Sequence, residues 1–146
     1  MITLQEFLLE KGYTKIKLHL TKTNHFEIKA TINGVKGVFI VDTGASSSCV
    51  GFDAIETFKL IAKDSEIKAA GAGATNMITQ ISKMNRLKIG NWKKEKVVLI
   101  LFNLTHVNTA LINHNATPVD GIIGADILNV SKAIIDYEKK YLYLRN

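Results

Sequence analysis

Asp42 is the residue whose surroundings most directly suggest chemistry, because it joins an apolar run to a turn of small and hydroxyl-bearing residues. The segment reads FIVDTGASSSCV from Phe39 to Val50. A carboxylate that a buried strand delivers to the rim of a core can take up and release a proton during hydrolysis. The same residues also fit an ordinary Asx turn after a strand. On this segment alone, both interpretations stay open.

The residues after Asp42 suit a tight and well-supported loop. Thr43 can form a hydrogen bond across the loop, and Ser46 has a hydroxyl that can support its surroundings. Gly44 permits backbone geometry and close approach that a side chain would prevent. These properties predict a loop that holds the carboxylate at the end of its strand.

A second segment, Val119–Leu128 (VDGIIGADIL), places two apolar residues before Gly124 and a helix-like stretch after it. Together with the segment around Asp42, it resembles a pair of motifs of the retropepsin-like aspartic proteases. That family has an apolar-apolar-Asp-Thr-Gly-Ala loop and, later in the chain, an apolar-apolar-Gly element that packs beneath it. The two matching stretches here are Ile40–Ala45 and Ile122–Gly124.

The resemblance implies a mainly β, retropepsin-like acid protease fold with antiparallel strands, a central flap hairpin and two or three short helices. It further implies an aspartic endopeptidase that hydrolyses peptide or protein substrates with water and uses neither a metal nor another cofactor. Asp42 is then the catalytic residue. The residues expected to support it are Thr43, Gly44, Ala45, Ser46, Ile123 and Gly124. The alternative is a noncatalytic peptide-binding or dimerisation module of the same fold.

The chemistry of peptide hydrolysis by carboxylates implies a homodimer. One carboxylate must be ionised to take a proton from water, while another must be protonated to donate one. The chain has a single Asp-Thr-Gly, at Asp42, and its 146 residues leave no room for a second lobe. A two-fold axis beside the loop would bring two copies of Asp42 together. As in the aspartic proteases that are the standard example of such coupling, the two carboxyl groups would share one proton.

The stretch Ala69–Asn76 (AAGAGATN) fits the glycine-rich tip of a hairpin that opens for substrate and closes over it. The residues assigned to this flap and to substrate binding are Gly71, Ala72, Gly73 and Ala74. A plain β-turn fits the stretch about equally well. A dinucleotide-binding loop fits poorly, because the third glycine of that motif is missing and no long helix follows.

Hydrophobic periodicity predicts a helix first and then mainly strands. Thr3 followed by Glu6 forms a capping-box pattern, with Leu4, Phe7 and Leu8 on one face. Apolar residues then alternate with polar ones over Ile16–Leu20 and again over the predicted strand Phe26–Ile32. Asn33-Gly34, the dipeptide preferred in a tight type I′ hairpin turn, joins this strand to a second one, Val35–Val41.

The rest of the chain adds short helices and further strands. Phe52–Leu60 and the region near Thr105–Leu111 are expected to be helical. The predicted strands, which include a closing hairpin in KAIIDYEKKYLYL, are Ile67–Ala70, Met77–Ile81, Leu87–Ile89 and Val97–Phe102. Gly90-Asn91 and a lysine-rich turn at residues 93–96 are expected between the last two. Strands do not alternate with long helices, which excludes a parallel α/β sheet.

Length and composition predict one domain, 1–146, with a helical extension at 1–13, since 47% hydrophobic residues suffice for one core. The net charge of +6 comes from seventeen lysines and only two arginines, so we expect no nucleic-acid partner. No stretch is apolar and long enough to span a membrane, and the first residues do not resemble a secretory signal. These features favour a cytoplasmic protein that does not bind a membrane.

Two other reactive side chains are expected to be structural. Asp126 could be imagined as a partner of Asp42 within one chain, but in the resembling family an acidic or amide residue near this point is structural, and we expect Asp126 to cap the helix. Cys49 is the only cysteine, which excludes an internal disulfide. We expect a buried and inert thiol, because no histidine is marked as its partner.

Overall fold

The computed structural model describes residues 1–65, 69–71 and 74–146. The α-helices are α1 (Leu4–Glu10), α2 (Thr105–Asn113) and α3 (Ala125–Val130), and a 3-10 helix lies at Phe52–Ala54. The strands are β1 (Thr14–Lys17), β2 (His19–Leu20), β3 (Phe26–Ile32), β4 (Val35–Val41), β5 (Cys49–Gly51), β6 (Lys63–Asp64), β7 (Ala69–Gly71), β8 (Ala74–Met77), β9 (Gln80–Ile89), β10 (Trp92–Phe102), β11 (Gly121–Ile123), β12 (Ile134–Asp136) and β13 (Tyr141–Leu144). The expected mainly β fold with a few short helices is confirmed.

An eight-stranded sheet forms the body of the protein, with strand order β2-β3-β4-β11-β5-β10-β9-β6. An additional pairing between β3 and β9 makes this sheet curl back on itself. Most neighbours are antiparallel, but β4 runs parallel to β11 and β5 runs parallel to β10. A three-stranded sheet, β1-β13-β12, and the separate pair β7-β8 complete the strands described.

The hairpin of β3 and β4 forms as the sequence predicts. Ile32 pairs with Val35, and the two turn residues Asn33 and Gly34 have φ angles of 50° and 84°. Both values lie in the left-handed region that a type I′ turn requires, where asparagine and glycine are the least strained residues. This local chemistry sets the register that carries the chain to Asp42.

Strand β4 is packed on both faces, so the residue at its end is held from two sides. Phe39 is fully buried in the larger apolar cluster, whereas Ile40 belongs to a second cluster on the opposite face. Helix α2 covers this second cluster with Leu111, which is 2% exposed. The predicted helix near Thr105–Leu111 is confirmed, and it extends to Asn113.

Helix α1 is capped as expected and buries a single residue. The Glu6 backbone N–H donates to Thr3 Oγ1 at 3.1 Å, and Gly12 adopts a φ of 88° just beyond the helix, which closes it in a Schellman-type turn. Only Leu8 is buried. Leu4 and Phe7, which share the apolar face predicted with Leu8, are 49% and 45% exposed.

The prediction of one helix over Phe52–Leu60 is wrong. Only the 3-10 turn Phe52–Ala54 forms, and Lys59 has a φ of 57°, which a continuing helix cannot accommodate. The cause is tertiary: Phe58 is fully buried against Phe39, and its carbonyl accepts a hydrogen bond from Asn33 Nδ2 at 2.8 Å. These contacts outweigh the weak preference of a short segment for a helix.

The lysine-rich turn expected at residues 93–96 is also wrong, because these residues belong to β10. The turn consists of Gly90 and Asn91, and Trp92 already pairs with Ile89. Bulges follow between Lys94 and Val97, where the pairing register shifts.

Among the described helices, none combines the length and the apolar character that crossing a membrane would require.

Candidate active site

Asp42 lies directly beyond the last residue of β4, where two parallel strands end side by side. Val41 pairs with Ile123 in the parallel β4–β11 ladder, and the Asp42 backbone N–H donates to the Ile123 carbonyl at 3.0 Å. The side chain is half-buried. The strand therefore fixes the backbone of Asp42 while its carboxylate stays accessible at the rim of the core.

The loop after Asp42 orients the carboxylate through its own backbone. The Gly44 N–H donates to Asp42 Oδ1 at 2.8 Å, and the Ala45 N–H donates to the Asp42 carbonyl at 3.2 Å. A Cβ placed on Gly44 would come within 3.2 Å of the same carboxylate oxygen. Glycine at this position thus lets the backbone approach the carboxylate closely enough to hold one of its oxygens.

Gly124 lies directly against the loop, as the second motif predicts. A Cβ on Gly124 would come within 2.6 Å of the Ala45 carbonyl oxygen and 3.0 Å of the backbone of Ser47. The next residue, Ala125, donates its N–H to the Ala45 carbonyl at 2.7 Å. Only glycine lets the start of α3 reach the loop at this distance.

Ser48, which sequence reasoning missed, connects the loop to α3. Its side chain is fully buried, and Ser48 Oγ donates to Asp126 Oδ1 at 2.7 Å and accepts from the Gly124 N–H at 2.9 Å. The same carboxylate oxygen accepts from the backbone N–H groups of Ser48 and Ile127. The three consecutive serines at positions 46–48 gave no sequence signal to single out the last one.

This hydrogen-bond network also shows where two residues considered in the sequence analysis, Ser46 and Asp126, lie relative to the loop. Ser46 is exposed, so within the described part of the chain the hydroxyl that links loop and helix belongs to Ser48. The expectation that Asp126 caps α3 is wrong, because Gly124 occupies the N-cap position. Asp126 lies in the first turn and instead accepts hydrogen bonds from Ser48 and from the Ile127 N–H. Its carboxylate is therefore engaged away from Asp42.

Thr43 is exposed at the outer surface of the loop. Within the residues that the structure describes, its hydroxyl makes no hydrogen bond, and the Asp42 carboxylate accepts only the bond from the Gly44 N–H. The loop therefore leaves Thr43 exposed and the Asp42 carboxylate partly accessible. A single carboxylate holds one protonation state at a time, which is half of what acid–base hydrolysis needs.

Cys49 is buried close to this site, where its thiol is difficult to ionise. Burial raises the pKa of its thiol to about 12, from an ordinary value of 9.0, and the negative charges of Asp126 and Asp42 add to the increase. A backbone hydrogen bond to Ile122 lowers the pKa and has a larger effect than either of these two charges, but burial outweighs it. At neutral pH the thiol is protonated, as the expectation of an inert cysteine requires.

Two of the four predicted flap residues, Gly71 and Ala74, belong to β7 and β8. These two strands are antiparallel, and Gly71 pairs with Ala74 next to the tip. Ala72 and Gly73, which form the predicted tip of the flap, lie outside the described residues. Within the described residues, no group of three or more His, Cys, Asp or Glu side chains has the arrangement of a metal site.

Comparison with known proteins places this arrangement in a family. A family model described as aspartyl protease matches residues 28–127. The chain is also 28% identical over 130 residues to the Gag-Pol polyprotein of Walleye dermal sarcoma virus. That match covers 89% of this chain but only 7% of the much longer polyprotein.

Three solved structures share the fold. A retropepsin-like aspartic protease from Rickettsia conorii has a TM-score of 0.57 and 21% identity, and the match covers 91% of this chain and 90% of that one. EIAV protease, complexed with the inhibitor HBY-793, has a TM-score of 0.55 and 18% identity, covering 75% and 90%. The retroviral protease-like domain of Ddi1 from Leishmania major has a TM-score of 0.54 and 19% identity, covering 82% and 87%.

The matched residues, 28–127, include both the Asp42 loop and the Gly124 element, and they make up more than half of the chain. The similar structures agree with the mainly β architecture over most of its length. The chain therefore belongs to the aspartyl protease family and has the retropepsin-like fold.

Proposed function

We propose that this protein is an aspartic endopeptidase whose active site forms between two copies of the chain, each contributing Asp42. The observation that carries the proposal is the position of the Asp42 carboxylate. It is accessible at the end of a strand buried on both faces, and the Gly44 N–H holds one of its oxygens at 2.8 Å. A residue needed only for a turn would not require the Gly124 element packed against its loop.

The proposed reaction divides two tasks between the two carboxyl groups. The ionised Asp42 takes a proton from water while the water oxygen attacks the carbonyl carbon of the peptide bond, and the protonated Asp42 donates its proton to the carbonyl oxygen. In the second step the C–N bond breaks: the first Asp42 passes the proton from water to the leaving amine, and the second Asp42 takes a proton back from a hydroxyl of the intermediate, which becomes the new carboxyl group. Two carboxylates at short distance share one proton, which leaves one in each state.

The remaining site residues have supporting roles in this proposal. Thr43, which is exposed, would hydrogen-bond across the two-fold axis and stiffen both loops, as the resemblance implies. The β7–β8 hairpin, with Gly71, Ala72, Gly73 and Ala74 at and beside its tip, would close over a peptide or protein substrate. Gly44, Ala45, Ile123 and Gly124 would keep the carboxylate in place.

The direct test is Asp42→Asn, which keeps the shape of the side chain but removes its ionisation. We expect peptidase activity on a mixed peptide library at acidic to neutral pH to fall at least about a hundredfold. Asp53→Asn is the matched control, because Asp53 is an exposed aspartate in the 3-10 helix. That variant should retain the activity of the unmodified protein.

Two measurements make the outcome decisive. Thermal unfolding should show that Asp42→Asn folds as well as the control, and the activity of the unmodified protein should follow a bell-shaped pH profile with two apparent pKa values of the pair. Undiminished cleavage by Asp42→Asn would refute the proposal. A folded protein that dimerises and cleaves no peptide across this pH range would instead favour the noncatalytic module.

A further inference from the structure

Besides the Asp42 site, a second candidate ligand-binding site is a cavity of about 270 Å³ at the other end of the sheet. We call it the β9–β10 pocket, because it lies between the β3–β4 turn and the facing residues of β9 and β10. Gly34 in its wall precedes the seven residues of β4 and Asp42 follows them. At about 3.3 Å per residue the two sites are about 25 Å apart, so this pocket is separate from the candidate active site.

The β9–β10 pocket concentrates positive charge. Arg86, Lys88, Lys93 and Lys94 line it together with one acidic residue, Glu95. Its net formal charge is therefore +3, half of the +6 of the whole chain, within a small fraction of the surface. Within the described ranges none of these four cations forms an ion pair with a carboxylate, so the charge is not neutralised internally.

The strand register forces two of these cations together. Lys88 and Lys93 are directly opposite each other in the antiparallel β9–β10 pair, and both side chains are exposed. Like charges at directly opposite positions destabilise a sheet. The native register nevertheless places the two lysines opposite each other at the pocket, and an anion bound between them would reduce the repulsion.

The backbone around the pocket is fixed before any ligand binds. The Arg86 N–H donates to Asn33 Oδ1 at 3.0 Å, and the Asn33 N–H donates to the Arg86 carbonyl at 2.9 Å. Thr31, which lines the pocket from β3, pairs with Lys88 of β9, so the β3 side of the pocket is fixed to β9 as well. A ligand would thus meet cations on a prearranged frame, which lowers the entropic cost of binding.

We propose that the β9–β10 pocket binds a small ligand with clustered phosphates, of the chemical class of a triphosphate or a polyphosphorylated alcohol. Arginine can hold a phosphate with two parallel hydrogen bonds, and lysines add compact charges around it. An acidic peptide fits less well, because carboxylates on one side of an extended chain recur only every second residue. Clustered phosphates bring three or more negative charges into the volume of this cavity.

Calorimetric titration with inorganic tripolyphosphate tests the proposal. The unmodified protein should bind it with about one-to-one stoichiometry, and the double variant Lys88→Gln plus Lys93→Gln should bind at least about tenfold more weakly. The control is Lys63→Gln plus Lys139→Gln, which removes the same charge from two exposed lysines elsewhere. It should bind within about twofold of the unmodified protein, since long-range screening makes distant charges matter little.

The outcomes separate a specific site from general basicity and from misfolding. Without ligand, the melting temperature of the pocket variant should equal or exceed that of the unmodified protein, because the variant removes a like-charge pair. Equal weakening in both double variants, or no binding by the unmodified protein, would overturn the proposal. A single-stranded oligonucleotide with the same number of phosphates that binds more tightly than tripolyphosphate would overturn the assignment to a small ligand. None of these results depends on whether Asp42 is catalytic.

Discussion

At the scale of single residues, the candidate site depends on how closely backbone atoms approach one another. Gly44 and Gly124 occupy positions where a Cβ would crowd the Asp42 carboxylate and the Ala45 carbonyl. Both glycines are needed for contact distances, and neither has a φ in the left-handed region. The local order Asp-Thr-Gly therefore matters because of the space it leaves around Asp42.

The buried thiol of Cys49 should make the free energy of unfolding depend on pH in alkaline solution. The folded protein keeps the Cys49 proton up to a pKa of about 12, whereas the unfolded chain loses it above its ordinary value of 9.0. Between these two values the folded state binds more protons, so the free energy of unfolding falls as pH rises. This contribution has a slope of at most about 1.4 kcal/mol per pH unit.

Urea unfolding at pH 8, 9 and 10 measures this slope. Cys49→Ala lacks the titrating group and should lose less stability over the same interval, whatever its stability at pH 8. Tyrosines and lysines that also titrate in this range are common to both proteins and cancel in the comparison. Parallel pH dependences for the two proteins would show that the thiol titrates normally in the folded state.

At the scale of elements, the site is a junction of β4, β11 and the start of α3. Asp126 at the beginning of α3 holds Ser48 through both its backbone N–H and its hydroxyl. Ser48 in turn binds the N–H of Gly124, which packs against the loop. The helix therefore braces the Asp42 loop through buried hydrogen bonds as well as through the glycine contact.

Two serine variants test this bracing role. Ser48→Ala leaves the Gly124 N–H without its acceptor and removes a buried donor to Asp126, which should cost about 1–3 kcal/mol of stability. It should also lower peptidase activity, because the loop that carries Asp42 is held less firmly. Ser46→Ala changes an exposed hydroxyl two residues away and should alter stability by no more than about 0.5 kcal/mol.

Urea unfolding and steady-state peptidase assays measure both effects. Equal losses for the two variants would contradict the assignment of the brace to Ser48. A larger effect of Ser46→Ala on activity alone would instead support the role that the sequence predicts for Ser46. The comparison therefore separates structural support from a direct contribution at the site.

At the scale of the whole molecule, one chain supplies one Asp-Thr-Gly loop. The loop leaves Asp42 partly accessible and Thr43 exposed, and the Asp126 carboxylate is engaged elsewhere. Asp126, the residue considered as a partner within the same chain, therefore does not supply a second carboxylate beside Asp42. The proposed activity requires a second copy of the molecule.

Mixing unmodified protein with Asp42→Asn tests this requirement. If subunits exchange freely, equal amounts give about one quarter of dimers with two Asp42 residues, and activity per unmodified chain should fall to about half. Asp53→Asn, mixed in the same proportion, should cause no loss beyond its own contribution. Activity that simply follows the amount of unmodified chain would show that each chain acts alone.

The elements that sequence predicts well are those specified by local chemistry. The turn at Asn33-Gly34 needs two left-handed residues, and the helix cap at Thr3 needs one hydroxyl, so neighbouring residues are sufficient to define them. The segment 52–60 is different, because a fully buried Phe58 and its bond from Asn33 determine its path. Contacts between distant parts of the chain outweigh local helical preference there.

The sequence by itself determined the strand that ends at Asp42, the two glycine-bearing motifs and the family to which they point, because each depends on residue types within a few positions. Only the tertiary structure decided that Ser48 and Asp126 brace the loop, and that four cations gather around the β9–β10 pocket. Both depend on which residues face each other across strands distant in sequence. Register and packing set those contacts, and no spacing along the chain encodes them directly.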